Sequence, residues 1–411
     1  MKIAMLTGGG DCPGLNSALK GLALGALEQG WEVVGIRKGW LGLLQLDPDD
    51  PASCAQWTVP LDAEAVRTID RFGGTFLHSS RTNPAAVKTA DLPAALRTQL
   101  EASKASGKAS ADPSGKASAD PSGKASAEPS GSAKHDCTAH VLRNLEKLGV
   151  TVLFPIGGDD TLSFGERLYK EGFHVIGIPK TMDNDVHGTD YCLGFATAVS
   201  RSVEYLHNLR SCTASHERFC VVECMGRNAG YTSLIPAYLA SVDRALISEV
   251  PFDIHHLADL LLRDRAANPS RYAMVTVSEG AHMLGEKVVQ SGEADAYGHQ
   301  KLGGIGQQTA DALKDLTKEG VVFQNLGYLV RCGRPDPLDV MVTFNFANLA
   351  IELAKANKFG NLVRLHRGVY GHAPMSVLSE GKKTVDLAKY YDEKNYRAKI
   401  SSVLGLPMYL N

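Results

Sequence analysis

The sequence predicts an α/β protein in which mostly parallel sheets are covered by helices on both faces. Three observations carry that expectation. Short apolar, strand-like runs recur at residues 2–6, 33–36, 150–156, 175–178, 219–222 and 272–277, each reaching a glycine or a charged residue within two residues of its end. Helical patterns, such as residues 15–27 and 198–209, separate them, which is the alternation that builds parallel sheets. The chain of 411 residues is long enough for two hydrophobic cores.

Taken in order, the first run, Ile3-Ala4-Met5-Leu6, passes into a Gly-rich loop that precedes the first helical pattern. Residues 104–131 differ in kind: a partial Lys104-Ala105-Ser106-Gly107 is followed by KASADPSG, KASADPSG and KASAEPSG. Each octapeptide balances its charge, lacks a large apolar side chain and carries Pro and Gly. A disordered, passive surface insertion over about residues 102–136 is therefore expected. Beyond it, Val150-Thr151-Val152-Leu153-Phe154 leads to Gly157-Gly158-Asp159-Asp160. Val175-Ile176-Gly177-Ile178 then leads to Pro179-Lys180-Thr181-Met182-Asp183-Asn184-Asp185. Both sets of carboxylates should sit at C-terminal strand ends, where α/β enzymes bind ligands. Glycines there let the backbone approach a phosphate, and the acids can hold a metal or remove a proton. Turn capping is the blander use of Asp183-Asn184-Asp185; the complete motif around it favours phosphoryl-transfer chemistry.

With 44% hydrophobic residues, 21% charged residues and a formal net charge of -2, the composition is that of an ordinary globular protein. It carries no basic excess that would recommend nucleic acid or an anionic membrane as a partner. Met1-Lys2 passes directly into the first strand-like run, and neither a signal peptide nor an apolar stretch of about 20 residues follows, so a cytoplasmic location is expected. The eight cysteines show no CxxC pair or zinc-site spacing and read as reduced, mostly buried thiols. Cys12 stands apart because a neighbouring anion site can lower a thiol pKa, although packing filler is the favoured use.

Gly157-Gly158-Asp159-Asp160-Thr161, with Pro-Lys-Thr-Met-Asp-Asn-Asp after it, resembles the phosphofructokinase family. Other segments match in the family order. They are Thr7-Gly8-Gly9-Gly10-Asp11-Cys12-Pro13-Gly14-Leu15-Asn16, Gly73-Gly74-Thr75-Phe76-Leu77 ahead of Ser80-Arg81, and Ser215-His216-Glu217-Arg218 ahead of Val221-Val222-Glu223-Cys224-Met225-Gly226-Arg227. They span almost the whole chain apart from the insertion. The resemblance implies two Rossmann-like three-layer lobes with the active site in the cleft between them. Residues 1–193 would form the donor-binding lobe, 194–327 the sugar-phosphate lobe, and 328–411 a C-terminal segment returning across both.

It also implies Mg²⁺-dependent, reversible phosphoryl transfer to the 1-hydroxyl of fructose 6-phosphate in glycolysis. Asp159 is implied as a Mg²⁺ ligand, Asp183 as the general base, and Asp185 as a group that orients Asp183 or binds metal. A positioned carboxylate suits an alcohol that attacks only as its proton leaves. Thr181 and Met182 beside the base are implied in sugar-phosphate binding, with Met225, Gly226, Arg227 and Glu279 on the sugar and Arg331 on the phosphates. Arg218 is implied to reach the 6-phosphate in a neighbouring subunit's site, hence a homodimer or homotetramer. Arginine forks suit bidentate phosphate recognition. Two departures stand out. Tyr328 occupies the place of a phosphate-binding His in many relatives, and its phenol still donates a hydrogen bond. Val322 occupies the apparent place of another phosphate-binding Arg, so the 6-phosphate has one cation fewer or a different Arg fills in.

Asp160 and Lys180 bear on the donor. ATP-dependent relatives carry Gly at the position of Asp160, and a carboxylate there repels a polyanion: like charges at about 4 Å cost roughly 1 kcal/mol in water and several times more near a protein surface. Lys180 can neutralise charge on the leaving group of pyrophosphate. The pair resembles the pyrophosphate-dependent branch, with Gly10 and Arg81 facing the pyrophosphate. ATP is the rival donor and sedoheptulose 7-phosphate a rival acceptor. Lys20 and Leu24 stand where allosteric bacterial relatives carry effector-binding arginines, so no nucleotide effector site of that type is expected. A dehydrogenase is disfavoured because Gly8-Gly9-Gly10-Asp11 is not GxGxxG followed by a ribose-binding acid. Lipid and NAD kinases share Gly-Gly-Asp but lack the companion motif, and a regulatory subunit without catalysis would not need both Asp159 and Asp183.

Overall fold

The computed structural model describes residues 1–105, 133–292, 295–298 and 300–399. Five strands from the N-terminal half, β1 (Lys2–Thr7), β2 (Glu32–Ile36), β3 (Thr58–Pro60), β4 (Val152–Gly157) and β5 (Ile176–Pro179), begin the larger sheet. A smaller sheet follows from β6 (Phe219–Cys224), β7 (Arg244–Leu246), β8 (Ala273–Ser278) and β9 (Val321–Asn325). The chain then returns to the larger sheet with β10 (Asn361–His366) and β11 (Val369–Pro374). The strand orders are β11-β10-β5-β4-β1-β2-β3 and β9-β6-β8-β7. All pairings in the smaller sheet are parallel. The larger sheet turns antiparallel only at its two edges, β2 with β3 and β10 with β11.

Alternation along the strands explains the layers. Ile3 and Met5 of β1 and Val152, Phe154 and Ile156 of β4 pack into one core, while Ala4, Leu6 and Leu153 pack into another on the opposite face. The first core is roofed by helices α1 (Leu15–Glu28) and, from far along the chain, Pro337–Lys355. Gly21 lets these two helices cross closely, since a methyl group there would stand 2.8 Å from Ala347 Cβ. The smaller sheet is likewise buried on both faces, with Phe219 and Val221 on one and Cys220 and Val222 on the other. Strands buried twice over read as near-continuous apolar runs, which is why they show in the sequence.

The pattern does not mark β3, β7, β9, β10 or β11. Strand β7 spans only three residues, β9 carries Gln324 and Asn325, and β10 and the edge strand β11 carry Arg364, His366 and His372, which face outward in part. Tyr390, Tyr391 and Tyr396 pack into the smaller sheet's core after β10 and β11 have joined the larger sheet. The octapeptide repeats lie outside the described residues. Ordered elements nevertheless reach into both ends of the 102–136 span, as the helix Ala94–Ala105 and as Lys134–His135 paired with Val87–Lys88. No helix among the described residues is long and apolar enough to cross a membrane.

The fold sends the C-terminal ends of β1, β4 and β5 and of β6, β8 and β9 to one cleft. The loops with the motif acids, and with Arg227 and Arg331, leave from these ends.

Candidate active site

Two adjoining cavities lie between the strand ends. The smaller, about 160 Å³, is lined by Asp159, Asp160, Asp183 and Asp185 together with Lys180 and Arg81. The larger, about 1060 Å³, is lined by Met225, Arg227, Glu279, Tyr328 and Arg331. Gly9, Gly10, Arg81 and Arg227 border both.

Asn184 explains the Asp-Asn-Asp pattern. Its φ of 55° lies in the left-handed region, which Asn tolerates better than most residues. Its amide Nδ2 donates to the Asp190 carbonyl at 3.0 Å, and its Oδ1 accepts from the Cys192 N–H at 2.9 Å. With Asn184 turned into the protein, Asp183 and Asp185 on either side line the smaller cavity. The Arg227 N–H donates to Asp183 Oδ2 at 3.4 Å, and Asn228 Nδ2 to Asp185 Oδ2 at 3.3 Å, so the opposite lobe steadies both acids. Asp183 Oδ1 is buried with no hydrogen-bond partner among the described residues. Burial first, then repulsion from Asp185 and Glu279, pushes the Asp183 carboxyl up to about 7.

Asp159 and Asp160 occupy the first turn of α2 (Asp159–Lys170), where the positive end of the helix dipole favours acids. Asp159 is nonetheless pushed up to about 7, by burial and then by the charge of Asp185, against the pull of Lys382. Its Oδ1 is also buried without a partner among the described residues. Lys180 is buried, donates from Nζ to the Gly10 carbonyl at 2.6 Å, and is held below the usual lysine range by that burial. Arg331 donates to the Asp11 carbonyl from Nη2 at 2.8 Å and from Nε at 3.1 Å, and lies 5.4 Å from the centre of the exposed Tyr328 ring. A Cβ at Gly10 would stand 2.2 Å from Arg331 Nη2, so a side chain there would displace this guanidinium.

Not every candidate gathers here. Arg218 precedes β6, at the end of the smaller sheet opposite the cleft, and lines neither cavity. A six-residue strand separates it from Met225, a rise of roughly 20 Å. The Met182 side chain is buried in a core cluster that includes Ala198 and Leu206, and the residue lines neither cavity. Gly226, at φ 116°, shapes the turn after β6, its carbonyl accepting from Ser248 Oγ at 2.7 Å. Val322 packs against the smaller sheet's core. Cys12 is buried, and desolvation pushes its thiol up to about 12, the opposite of activation by an anion site. Lys20 is held by Asp70 Oδ1 at 2.8 Å, and Leu24 packs on the large core.

Sequence reasoning passed over Asn228, Lys301, Asp295, Tyr297 and Lys382, all of which border the cavities. Asn228 directly follows Arg227 and was within reach of the motif. Asp295, Tyr297 and Lys301 come from a hairpin, Gln290–Ser291 with Lys301–Leu302, whose only signal is the pair of glycines 292 and 298. Lys382 lies in a segment with no marked pattern.

Residues 2–354 match the phosphofructokinase family. The chain is 34% identical over 395 residues to a pyrophosphate–fructose 6-phosphate 1-phosphotransferase of Streptomyces coelicolor, covering 95% of this chain and 98% of that protein. It is 33% identical over 388 residues to ATP-dependent 6-phosphofructokinase 2 of Clostridium perfringens, covering 94% and 93% respectively. Among solved structures, a pyrophosphate-dependent phosphofructokinase from Marinobacter aquaeolei shares the fold with a TM-score of 0.69 at 18% identity, over 97% of this chain and 88% of that one. A family match across most of the sequence, joined by relatives above 30% identity along nearly their whole length, establishes that the chain belongs to the phosphofructokinase family.

Proposed function

We propose that the protein transfers a phosphoryl group from pyrophosphate to the 1-hydroxyl of fructose 6-phosphate, forming fructose 1,6-bisphosphate and phosphate in glycolysis. The observation that most supports this donor is the smaller cavity, with Asp160 in its wall. Its volume of about 160 Å³ is well under the roughly 300 Å³ at which pockets for drug-sized ligands begin. A diphosphate suits that space, whereas a nucleoside triphosphate would have to extend beyond it.

Asp183 Oδ1 takes the proton of the 1-hydroxyl as that oxygen attacks the terminal phosphorus, and the same carboxyl returns the proton in the reverse direction. A pKa near 7 keeps both protonation states accessible at neutral pH, which suits a reaction that runs both ways. Lys180 and Arg81 neutralise charge moving onto the departing phosphate. Arg227, Glu279 and Arg331 hold the sugar phosphate in the larger cavity, Met225 borders it, Thr181 reaches toward it from the wall of the smaller cavity, and the exposed Tyr328 phenol donates at its rim. Lys301, on the wall of that cavity, is a cation available in place of the one that Val322 lacks. Arg218, remote from this chain's own cleft, serves the site of a second copy in a homo-oligomer.

Mg²⁺ takes one or two carboxylates and otherwise substrate phosphates and water. Asp159 fits that habit, because its buried Oδ1 has no hydrogen-bond partner among the described residues. No set of three or more metal-ligating side chains is assembled among the described residues. When bound, the ion supplies charge neutralisation on the transferring phosphates.

Likeness to ATP-dependent relatives makes ATP the second reading of the donor. The larger cavity, about 1060 Å³, also leaves room for the seven-carbon sedoheptulose 7-phosphate. Phosphorus NMR of the full chain with fructose 6-phosphate, pyrophosphate and Mg²⁺ tests the proposal. Bisphosphate and phosphate signals are expected to grow together, and Asp183→Asn should slow them by about 10² to 10⁴. Absence of product with the wild-type chain would overturn it.

A further inference from the structure

The hairpin of Gln290–Ser291 and Lys301–Leu302 contributes Asp295 and Tyr297 to the wall of the smaller cavity, and the chemistry above uses neither. Both grip the opposite lobe. The Tyr297 hydroxyl donates to the Thr82 carbonyl at 2.7 Å, and Arg81 Nη1 donates to Asp295 Oδ2 at 3.3 Å. Two consecutive donor-side residues, Arg81 and Thr82, are thus each tied to the hairpin. The Tyr297 phenol is held above its usual range by burial and then by the charge of Asp160, which places the ring close to the acid that opposes nucleotides.

Behind the hairpin tip lies a further cavity of about 890 Å³, bordered by Ala296 and Gly298 and by apolar Leu41, Leu44 and Leu92. Arg81 and Asp295 border this space as well as the smaller cavity; Tyr297 borders the smaller cavity, and its hydroxyl bonds Thr82, which borders the larger space, so the ring stands between the two. Room for a nucleoside therefore exists near the donor site, and something must keep a donor's tail from entering it.

We propose that Tyr297 is a donor-size determinant. With its hydroxyl anchored on Thr82, its ring walls the smaller cavity off from the larger space behind the hairpin tip, so that a diphosphate fits and a longer donor does not. This rests on the pyrophosphate reading above. Asp160 discriminates by charge and Tyr297 by volume, so the two should act independently.

The test is kcat/KM for pyrophosphate, tripolyphosphate and ATP in the wild type, Asp160→Gly, Tyr297→Ala and the double variant. Tyr297→Leu serves as a second truncation should the alanine variant fold poorly, and Tyr297→Phe as the variant that keeps the ring. Pocket walls of this kind typically set discrimination of about 10- to 200-fold. Tyr297→Ala is expected to raise the tripolyphosphate-to-pyrophosphate ratio about tenfold or more. The double variant should raise the ATP-to-pyrophosphate ratio by a similar factor over Asp160→Gly alone, and Tyr297→Phe should keep the wild-type ratios. A wild type that uses ATP and not pyrophosphate overturns both the donor reading and the wall. A wild type that uses pyrophosphate, with donor ratios unmoved by Tyr297→Ala and Tyr297→Leu, overturns the wall alone, as does equal relaxation in Tyr297→Phe.

Discussion

At the scale of residues, the site is governed by carboxyls that are costly to ionise. Asp183 and Asp159 are both pushed up to about 7, because burial and the neighbouring Asp185 favour their neutral forms. With Asp183 as the proposed base, the forward reaction needs its ionised form, so kcat/KM should fall as pH drops below about 7; the proposed reverse reaction needs the protonated acid and should fall as pH rises above it. Asp185→Asn removes a repulsive charge, so the forward acid limb should move to lower pH. Paired pH profiles check this, and an unmoved limb contradicts it. The same shift has a stability sign. A folded-state pKa raised above the unfolded value contributes stability below the ordinary carboxylate range, and that contribution is lost as pH rises through about 7. Asp183→Asn should therefore melt at a higher temperature than the wild type at pH 8 while losing turnover, as thermal melts at pH 5 and pH 8 would show. An equal or lower melting temperature at pH 8 contradicts the shift. Much of this was legible in the sequence, since Asp159 and Asp183 sit in compact motifs. The buried orphan oxygens were not, because burial depends on loops from the other lobe.

At the scale of elements, the strands that showed in the sequence are those buried on both faces, and those that did not are short, lie at edges or, like β10, interrupt their apolar run with polar side chains. A pattern of apolar residues records burial, and an edge strand such as β11 is only partly buried. Long-range capping left no local trace either. Helix α3 (Phe195–Ser215) begins after Gly194 with no side-chain cap of its own. Its first amides are met by the fully buried Asp339, 142 residues beyond Thr197: Gly194 N–H donates to Oδ1 at 2.9 Å and Thr197 N–H to Oδ2 at 2.8 Å. The Tyr191 hydroxyl adds a third bond at 2.5 Å. An anion at a helix N-terminus meets both the orphan amides and the dipole. Asp339→Ala strands these donors and should cost about 3 kcal/mol or more. Urea denaturation checks it, and a loss below about 1 kcal/mol contradicts the role. On α1, Lys20 held by Asp70 and Leu24 against the core leave no cation pair for an effector phosphate. ADP should accordingly leave the fructose 6-phosphate saturation curve unmoved, and a clear shift contradicts that.

At the scale of the whole molecule, two sheets aim their C-terminal ends at one cleft, and the carried-over arginine that misses it argues for a second copy. If Arg218 serves a neighbour, mixing inactive Arg218→Ala and Asp183→Ala subunits should regenerate about a quarter of the sites, since half the dimers are hybrids with one intact site each. Subunits that exchange without regaining activity contradict a shared site. The family was legible because its motifs are local and lie at strand ends. The third wall of the donor site was not, because the Tyr297 hairpin joins it through contacts some 215 residues apart in sequence. The donor is where charge and volume converge, and the initial rate of fructose 1,6-bisphosphate formation by the wild-type chain, with fructose 6-phosphate and Mg²⁺ and with either pyrophosphate or ATP, tests it most directly. Product with pyrophosphate and none with ATP is the predicted result; product with ATP alone would contradict it.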